Sequence, residues 1–149
     1  MKLRRAAHDD IPALARIAAA SYRRAFATIL EPRALMSRDV RFFARRFRRV
    51  RRRLWLASDR GRAIAFSLVT RKHLDMLFVD PRCAGRGAGR RLLAHCTRRG
   101  VRTLECFRDN LAARRFYERR GWRLVRSYTR VFAGKPRDFV FYERPGCGD

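Results

Sequence analysis

The sequence has few residues that could bind a metal ion or form a structural disulfide. No two of its four cysteines have the C-x-x-C spacing, and its three histidines complete no zinc pattern with them. The cysteines are Cys83, Cys96, Cys106 and Cys147. We therefore expect no metal site, and free thiols in a reducing compartment.

Long apolar runs are absent as well. A membrane-spanning helix needs about 20 apolar residues, and no stretch of the chain approaches that length. A secretory signal needs an apolar core near its start, which Asp9, Asp10 and Pro12 interrupt. These absences predict a cytoplasmic protein without membrane association. The length of 149 residues predicts one domain over residues 1–149.

Lysine is scarce, although the chain is strongly basic. Lys2, Lys72 and Lys135 are the only lysines among 38 basic residues, which outnumber 13 acidic residues and give a net charge of +25. Such a charge attracts nucleic acid and other polyanions without specificity. An excess of arginine over lysine is also typical of a coding bias, so the charge alone assigns no function.

Hydrophobic periodicity predicts seven strands and four helices. The strands are predicted over residues 2–6, 54–58, 63–70, 74–79, 103–107, 122–129 and 138–143. The helices are predicted over 11–26, 37–49, 88–99 and 110–120. We expect the last two strands to be joined across Gly134, Lys135 and Pro136. Meandering strands followed by strand–helix–strand units predict an α+β (mixed α/β) fold with helices on both faces of the sheet.

The second predicted helix has a face made almost entirely of arginine. Its apolar stripe includes Phe43 and Phe47, and the arginines continue beyond its end through Arg53. One interpretation is a surface for an acidic partner or for phosphate groups. The other is a solvated helix face on which like charges repel one another mildly.

A glycine-rich turn connects the strand over 74–79 to the helix over 88–99. Gly85, Gly87 and Gly89 have no Cβ atoms, so a phosphate could approach the backbone N–H groups of the turn. The start of the helix adds unpaired N–H donors and the positive end of its dipole. The segment therefore predicts a diphosphate-binding turn.

Two common nucleotide-binding motifs do not fit this turn. A P-loop requires Lys and then Ser or Thr after its second glycine, whereas Arg90 and Arg91 follow Gly89. A dinucleotide-binding G-x-G-x-x-G motif that began at Gly85 and Gly87 would need a third glycine where Arg90 stands. A third explanation of the turn follows from a family resemblance.

The turn and a later segment together resemble the GNAT family of N-acetyltransferases. The family pattern Arg/Gln-x-x-Gly-x-Gly/Ala maps onto residues 84–89, with Ala84 in place of the usual Arg or Gln. Residues 110–122, NLAARRFYERRGW, resemble the family signature N-x-x-A-x-x-F-Y-x-x-x-G-F, with Trp122 as the last aromatic residue. The resemblance implies a GNAT fold with a central mixed, mostly antiparallel sheet of about six to seven strands and about four helices on both faces.

The resemblance also implies that acetyl-CoA is the cosubstrate. The residues implied to hold it are Leu77, Phe78 and Val79 along the pantetheine arm, Ala84, Gly85, Arg86, Gly87, Ala88, Gly89 and Arg90 around the diphosphate, and Asn110. Asn110 is equally well explained as the N-cap of a helix.

Tyr117 matches the tyrosine that protonates the leaving thiolate in this family, although it could also be a core residue. His73 and Asp75 lie two apart on one strand, so we expect both on one face, where either could take the proton of the amine. Glu105 on the next strand is a further candidate for that base.

The sequence thus predicts an N-acetyltransferase that acts through a ternary complex. The acceptor is expected to be an amine on a small molecule or a protein, and a homodimer is an assembly that the family often forms. Two other functions stay open. One is an arginine-rich protein that binds nucleic acid or the ribosome, and the other is a non-catalytic sensor that binds CoA on the same fold.

Overall fold

A mixed seven-stranded sheet organises the chain in this computed structural model, which describes residues 1–146. The strand order is β1-β2-β3-β4-β5-β7-β6, and only β4 and β5 run parallel. The strands are β1 Lys2–Arg5, β2 Leu54–Asp59, β3 Arg62–Thr70, β4 His73–Val79, β5 Thr103–Phe107, β6 Arg123–Phe132 and β7 Lys135–Glu143. The predicted α+β fold with a mostly antiparallel sheet is confirmed.

Five helices pack on the two faces of this sheet. They are α1 Ile11–Ala25, α2 Pro32–Ser37, α3 Val40–Val50, α4 Ala88–Arg98 and α5 Leu111–Glu118. On one face, α1 and α3 bury an aromatic-rich core in which Phe43 and Phe47 are fully buried. On the other face, α4 and α5 cover a second core that includes Leu104 and Tyr142. The alternation of side chains along each strand supplies both cores from one sheet.

The region between α1 and β2 differs from its prediction. The helix predicted from residue 37 begins instead at Val40, because the Asp39 side chain accepts a hydrogen bond from the N–H of Phe42 at 2.8 Å and caps it. A separate short helix, α2, precedes it and was not predicted. Pro32 opens α2, and the Ser37 hydroxyl donates to the carbonyl of Ala34 at 2.7 Å at its end.

The hairpin of β6 and β7 is also longer and tighter than predicted. Its connection is Ala133 and Gly134, both with positive φ (51° and 82°), as a two-residue hairpin turn requires. Lys135 and Pro136, predicted to lie in the connection, instead pair with β6. Pro136 is tolerated because β5 pairs only with residues 139–143 of β7, so this end of β7 has a single neighbouring strand.

The helices and the cysteines of the described residues can be compared with the expectations of no membrane span and of free thiols. No helix within residues 1–146 is long and apolar enough to cross a membrane. Cys83, Cys96 and Cys106 are free thiols, and Cys147 lies outside the described residues.

Candidate active site

The central strands β4 and β5 separate soon after they meet. Their parallel pairing covers only His73 with Thr103 and Leu74 with Leu104. A register shift between β3 and β4 follows at once, because Leu68 pairs with Met76 while Val69 pairs with Leu74. A bulge of this kind bends a strand away from its neighbour. The facing edges of residues 75–79 and 105–107 are therefore left without strand pairing to each other.

A cavity of about 140 Å³ lies at this opening. It is lined by Asp75, Leu77 and Phe78 of β4 and by residues 104–107 of β5. Helix α5 and the residue before it contribute Tyr117 and Asn110, and α1, β6 and β7 contribute mainly aromatic side chains. The cavity thus reaches the side chains of both faces of the sheet, and two separated reactants could meet in it.

The glycine-rich turn follows β4 at the end where the strands have separated. Gly85 and Gly87 have left-handed φ values of 84° and 82°, which residues with a Cβ atom rarely adopt. Gly87 is the N-cap of α4, so the N–H groups of Ala88, Gly89 and Arg90 are in the first turn and have no acceptor within the helix. These donors, at the positive end of the helix dipole, form an anion-binding geometry.

Gly89 allows α4 to lie close to its neighbours. A Cβ atom at this position would lie 3.3 Å from Cγ2 of Val79 and 3.7 Å from Cζ of Phe116. The absence of a side chain therefore brings the start of α4 against both β4 and α5. This contact links the two segments on which the family resemblance rests.

The arginines around the turn have different partners. Arg82 forms an ion pair with the buried Asp80 at 3.0 Å, and hydrogen bonding to Arg82 keeps the pKa of Asp80 below its usual value. Arg86 contacts Asp59 at 3.4 Å, and Arg91 donates to the carbonyl of Met1 at 3.0 Å. Arg90 folds over the turn, with Nη2 3.6 Å from the position of a Cβ on Gly87. Of these four arginines, Arg90 is the one directed over the glycines.

Tyr117 lines the cavity from within the second core. It is 8% exposed and packs edge-to-face against Phe116 and Trp122, with ring centroids 5.2 and 6.1 Å away. Burial raises the pKa of its phenol well above the usual value. The hydroxyl therefore keeps its proton throughout the neutral range.

Asn110 is confirmed as a helix cap. Its side-chain oxygen accepts a hydrogen bond from the N–H of Ala113 at 3.3 Å. The residue also lines the cavity, so capping α5 and contacting a ligand are compatible roles.

The two residues proposed as bases on β4 have separate hydrogen-bond partners. Nδ1 of His73 lies 2.8 Å from the Thr103 hydroxyl, and the carboxylate of Asp75 accepts from the Thr70 hydroxyl at 2.6 Å. Asp75 lines the cavity, whereas His73 lies outside it. The ring of His73 is nearly parallel to that of Phe141, with centroids 6.1 Å apart. The structure thus brings Asp75, but not His73, to the cavity.

Glu105 lies in the cavity within a cluster that the sequence did not reveal. It accepts hydrogen bonds from the hydroxyl of Tyr128 and the guanidinium of Arg130. Burial on its own would raise the pKa of Glu105, but the bonds from Arg130 and Tyr128 outweigh it, and the pKa is lowered. Arg126, Tyr128 and Arg130 alternate along β6, and only the register of β6 on β7 brings this row to β5.

The chain matches a known protein family over most of its length. Residues 12–122 match the model of the acetyltransferase (GNAT) family, which is more than half of the chain. The protein therefore belongs to the GNAT family, and the resemblance seen in the sequence is confirmed.

Two curated relatives carry the same name. The peptidyl-lysine N-acetyltransferase YjaB of Salmonella typhimurium (strain LT2) is 33% identical over 85 residues, which cover 56% of this chain and 59% of the relative. The protein of that name from Escherichia coli K12 is 32% identical over 85 residues, covering 56% and 58%. The chain thus aligns with less than two thirds of the length of these relatives.

Solved structures share the fold over nearly the whole chain. The solution structure of apo-form YjaB from Escherichia coli superimposes with a TM-score of 0.82 at 24% identity and covers 98% of both chains. PaiA N-acetyltransferase from Thermoplasma acidophilum, solved in complex with coenzyme A, has a TM-score of 0.71 at 16% identity and covers 97% of this chain and 98% of its own. At these identities the likeness supports the fold alone.

Proposed function

We propose that this protein transfers an acetyl group from acetyl-CoA to a primary amine, by direct attack within a ternary complex. The observation that carries the proposal is the opening between β4 and β5, which contains a cavity lined by Tyr117 and two carboxylates and adjoins the anion-binding start of α4. Family membership supports it independently.

The proposed site for acetyl-CoA combines two kinds of backbone contact. Residues 77–79 offer an unpaired strand edge on the β5 side, to which the amide groups of the pantetheine arm can add in the manner of a strand. The turn from Ala84 to Arg90 offers N–H groups to the diphosphate. Ala84 is exposed and has an apolar side chain, so binding at that position rests on the backbone.

In the proposed reaction, the nitrogen of the neutral amine attacks the thioester carbonyl, and the carbon–sulfur bond breaks as the carbon–nitrogen bond forms. The proton of the amine passes to a base, and the sulfur takes a proton from the Tyr117 hydroxyl. Burial raises the pKa of Tyr117, and the same surroundings would raise the pKa of a thiol placed beside it. The two pKa values therefore rise together, and the proton transfer from the phenol to the thiolate is not made less favourable by burial.

Asp75 and Glu105 have different roles toward the amine acceptor in this proposal. Glu105 has a lowered pKa and already accepts bonds from Tyr128 and Arg130, so it is a weak base that holds a fixed negative charge. Such a charge attracts an incoming ammonium group. Asp75 is exposed and has one hydroxyl partner, Thr70, so it is better placed to accept the proton through water.

We propose the side chain of a protein lysine as the acceptor. The curated relatives are named as peptidyl-lysine N-acetyltransferases. The carboxylates of the cavity suit an ammonium group that loses its proton on arrival, and the aromatic residues from α1, β6 and β7 suit its aliphatic stem.

The test is an acetylation assay with a peptide that contains one lysine and a blocked amino terminus. Release of free thiol and a mass gain of one acetyl group on that lysine are the expected results. The same peptide with arginine in place of lysine is the matched control, and spermidine represents small amines. Turnover with spermidine alone would move the acceptor to small molecules. No turnover with any amine, despite binding of acetyl-CoA, would favour a non-catalytic sensor.

A further inference from the structure

A second concave site lies at the opposite end of α4 from the glycine-rich turn. It has a volume of about 210 Å³ and is lined by five arginines from four separate segments around the indole of Trp55. The arginines are Arg5, Arg52, Arg53, Arg71 and Arg99. Gly87 and Arg99 are separated by 12 helical steps, or about 18 Å, so this arginine pocket is distinct from the turn.

The pocket concentrates positive charge without a neutralising carboxylate. Within residues 1–146, none of its five guanidinium groups forms an ion pair with an acidic side chain. Like charges that converge in a concavity repel one another, which costs stability unless an anion offsets it. The five arginines are exposed, as are those of α3, but they surround one concavity, whereas the arginines of α3 lie along a convex helix surface.

Contacts hold the side chains of Arg5 and Arg99 in place around Trp55. The guanidinium groups of Arg5 and Arg99 lie 5.2 and 5.1 Å from the centroid of the indole ring, within the range of cation–π attraction. Arg5 also donates to the carbonyl of Arg52 at 2.7 Å. The pocket is therefore partly ordered before any ligand arrives, which lowers the entropy lost on binding.

A buried polar atom at the pocket also lacks a partner. The ring of His95 lies 4.2 Å from that of Trp55, and its Nδ1 is buried without a hydrogen bond to any described residue. A buried polar group without a partner is costly. Burial, followed by the charges of Arg99, Arg98 and Arg5, lowers the pKa of His95, which keeps its imidazole neutral and able to donate from one nitrogen.

We propose that this arginine pocket binds a small multivalent phosphate, in a site separate from that of acetyl-CoA. Guanidinium groups match phosphate oxygens in geometry and charge, and several of them around one concavity suit an oligophosphate better than a single-charge anion. The small volume of the pocket favours a small ligand over the backbone of a nucleic acid, which needs an extended groove.

Trp55 supplies a direct optical test. The chain has two tryptophans, and Trp122 is 3% exposed and does not line the pocket, so a change in fluorescence on adding inorganic triphosphate reports on the half-buried Trp55. The titration is run at about 0.3 M salt, where non-specific attraction is screened. We expect saturable binding with one triphosphate per chain, confirmed by calorimetry.

Two variants and one control decide the assignment. Arg71→Gln/Arg99→Gln and Arg52→Gln/Arg53→Gln each remove two charges from the pocket, and each should weaken triphosphate binding at least tenfold. Arg41→Gln/Arg45→Gln removes two charges from the exposed face of α3 and should leave it unchanged. Equal binding by all proteins would overturn the proposal.

Two further measurements test where the triphosphate binds and whether the pocket prefers a nucleic acid. Acetyl-CoA at saturating concentration should leave triphosphate binding unchanged, and competition between the two would overturn the proposal by placing triphosphate at the glycine-rich turn. A single-stranded oligonucleotide that binds through the pocket when triphosphate does not would also overturn it, in favour of a nucleic-acid site. Acetylation activity is not a readout here, so this test is independent of the proposed function.

Discussion

Two of the four tyrosines of the chain, Tyr22 and Tyr117, line the cavity between β4 and β5. Burial raises the pKa of both phenols, so each retains its proton at neutral pH. Tyr22 belongs to the aromatic core of α1 and α3, whereas Tyr117 lies in the Phe-Tyr segment that resembles the family signature. Single-residue variants can determine which of the two tyrosines is the proton donor.

We predict that Tyr117→Phe lowers kcat by about 100-fold, within the range for loss of a general acid. The affinity for acetyl-CoA should stay within about threefold, because the ring still packs on Phe116 and Trp122. Tyr142→Phe is the matched control, since its buried hydroxyl contacts Glu118 and Arg114 outside the cavity. A loss of turnover in Tyr22→Phe, with none in Tyr117→Phe, would transfer the role to Tyr22.

Gly89 offers a second prediction at the residue scale. Gly89→Ala places a methyl group 3.3 Å from Cγ2 of Val79 and should shift the start of α4, which weakens acetyl-CoA binding. Gly100→Ala, after the other end of α4, is the control. It is strained by a φ of 99° but has open space, so it should lower the melting temperature alone. Acetyl-CoA affinity that falls equally in both variants would contradict this account.

At the scale of elements, Glu31 connects α2 to β7 through ion pairs with Arg137 and, at 3.8 Å, with Lys135. Both carboxylate oxygens of Glu31, the N-cap residue of α2, accept from Arg137 of β7 at 2.8 and 2.9 Å. Hydrogen bonding to Arg137 is the main reason that the pKa of Glu31 falls to about 2. Because the pKa is lower in the folded state, the pair adds stability above the ordinary pKa and loses it on acidification.

We therefore predict a pH-dependent effect of Glu31→Gln. The variant should be less stable than the parent at neutral pH, and the difference should shrink as the pH falls from about 4.5 to about 2. Urea unfolding at a series of pH values measures it. A constant difference over that range would show that the carboxylate charge of Glu31 contributes nothing to stability.

Elements with strong local signals were predictable from the sequence. Helix α4 starts after the glycine turn and α5 after Asn110, as predicted, because caps and periodicity are local properties. The short α2 has too few turns to show a period, and the turn at Ala133 uses a residue that seldom adopts positive φ.

The candidate site, too, was predictable only in part. The glycine turn and Tyr117 could be found because each lies in a contiguous motif. The opening between β4 and β5 depends on a register shift, and the cluster of Glu105, Tyr128 and Arg130 depends on strand order. Pairing of strands separated by some 20 residues is not encoded in local periodicity.

At the scale of the whole molecule, charge dominates the surface. The net charge of +25 predicts non-specific attraction to nucleic acid, with an affinity that falls steeply with salt. We expect binding of a single-stranded oligonucleotide to weaken more than tenfold between about 50 and 200 mM salt. Fluorescence anisotropy measures it. Affinity that survives this change would instead indicate a built nucleic-acid interface. The cytoplasmic location and the homodimer stay predictions.

The most direct test of the central claim is a calorimetric titration of acetyl-CoA into the purified protein at about 0.3 M salt, where surface attraction is damped. NAD, which carries a diphosphate but no triphosphate, serves as the polyanion control. The account predicts saturable, one-to-one binding of acetyl-CoA, with no comparable binding of NAD and a loss of affinity in Gly89→Ala. Weak, salt-sensitive binding of both ligands would contradict it and leave the basic surface of the protein as the main functional feature.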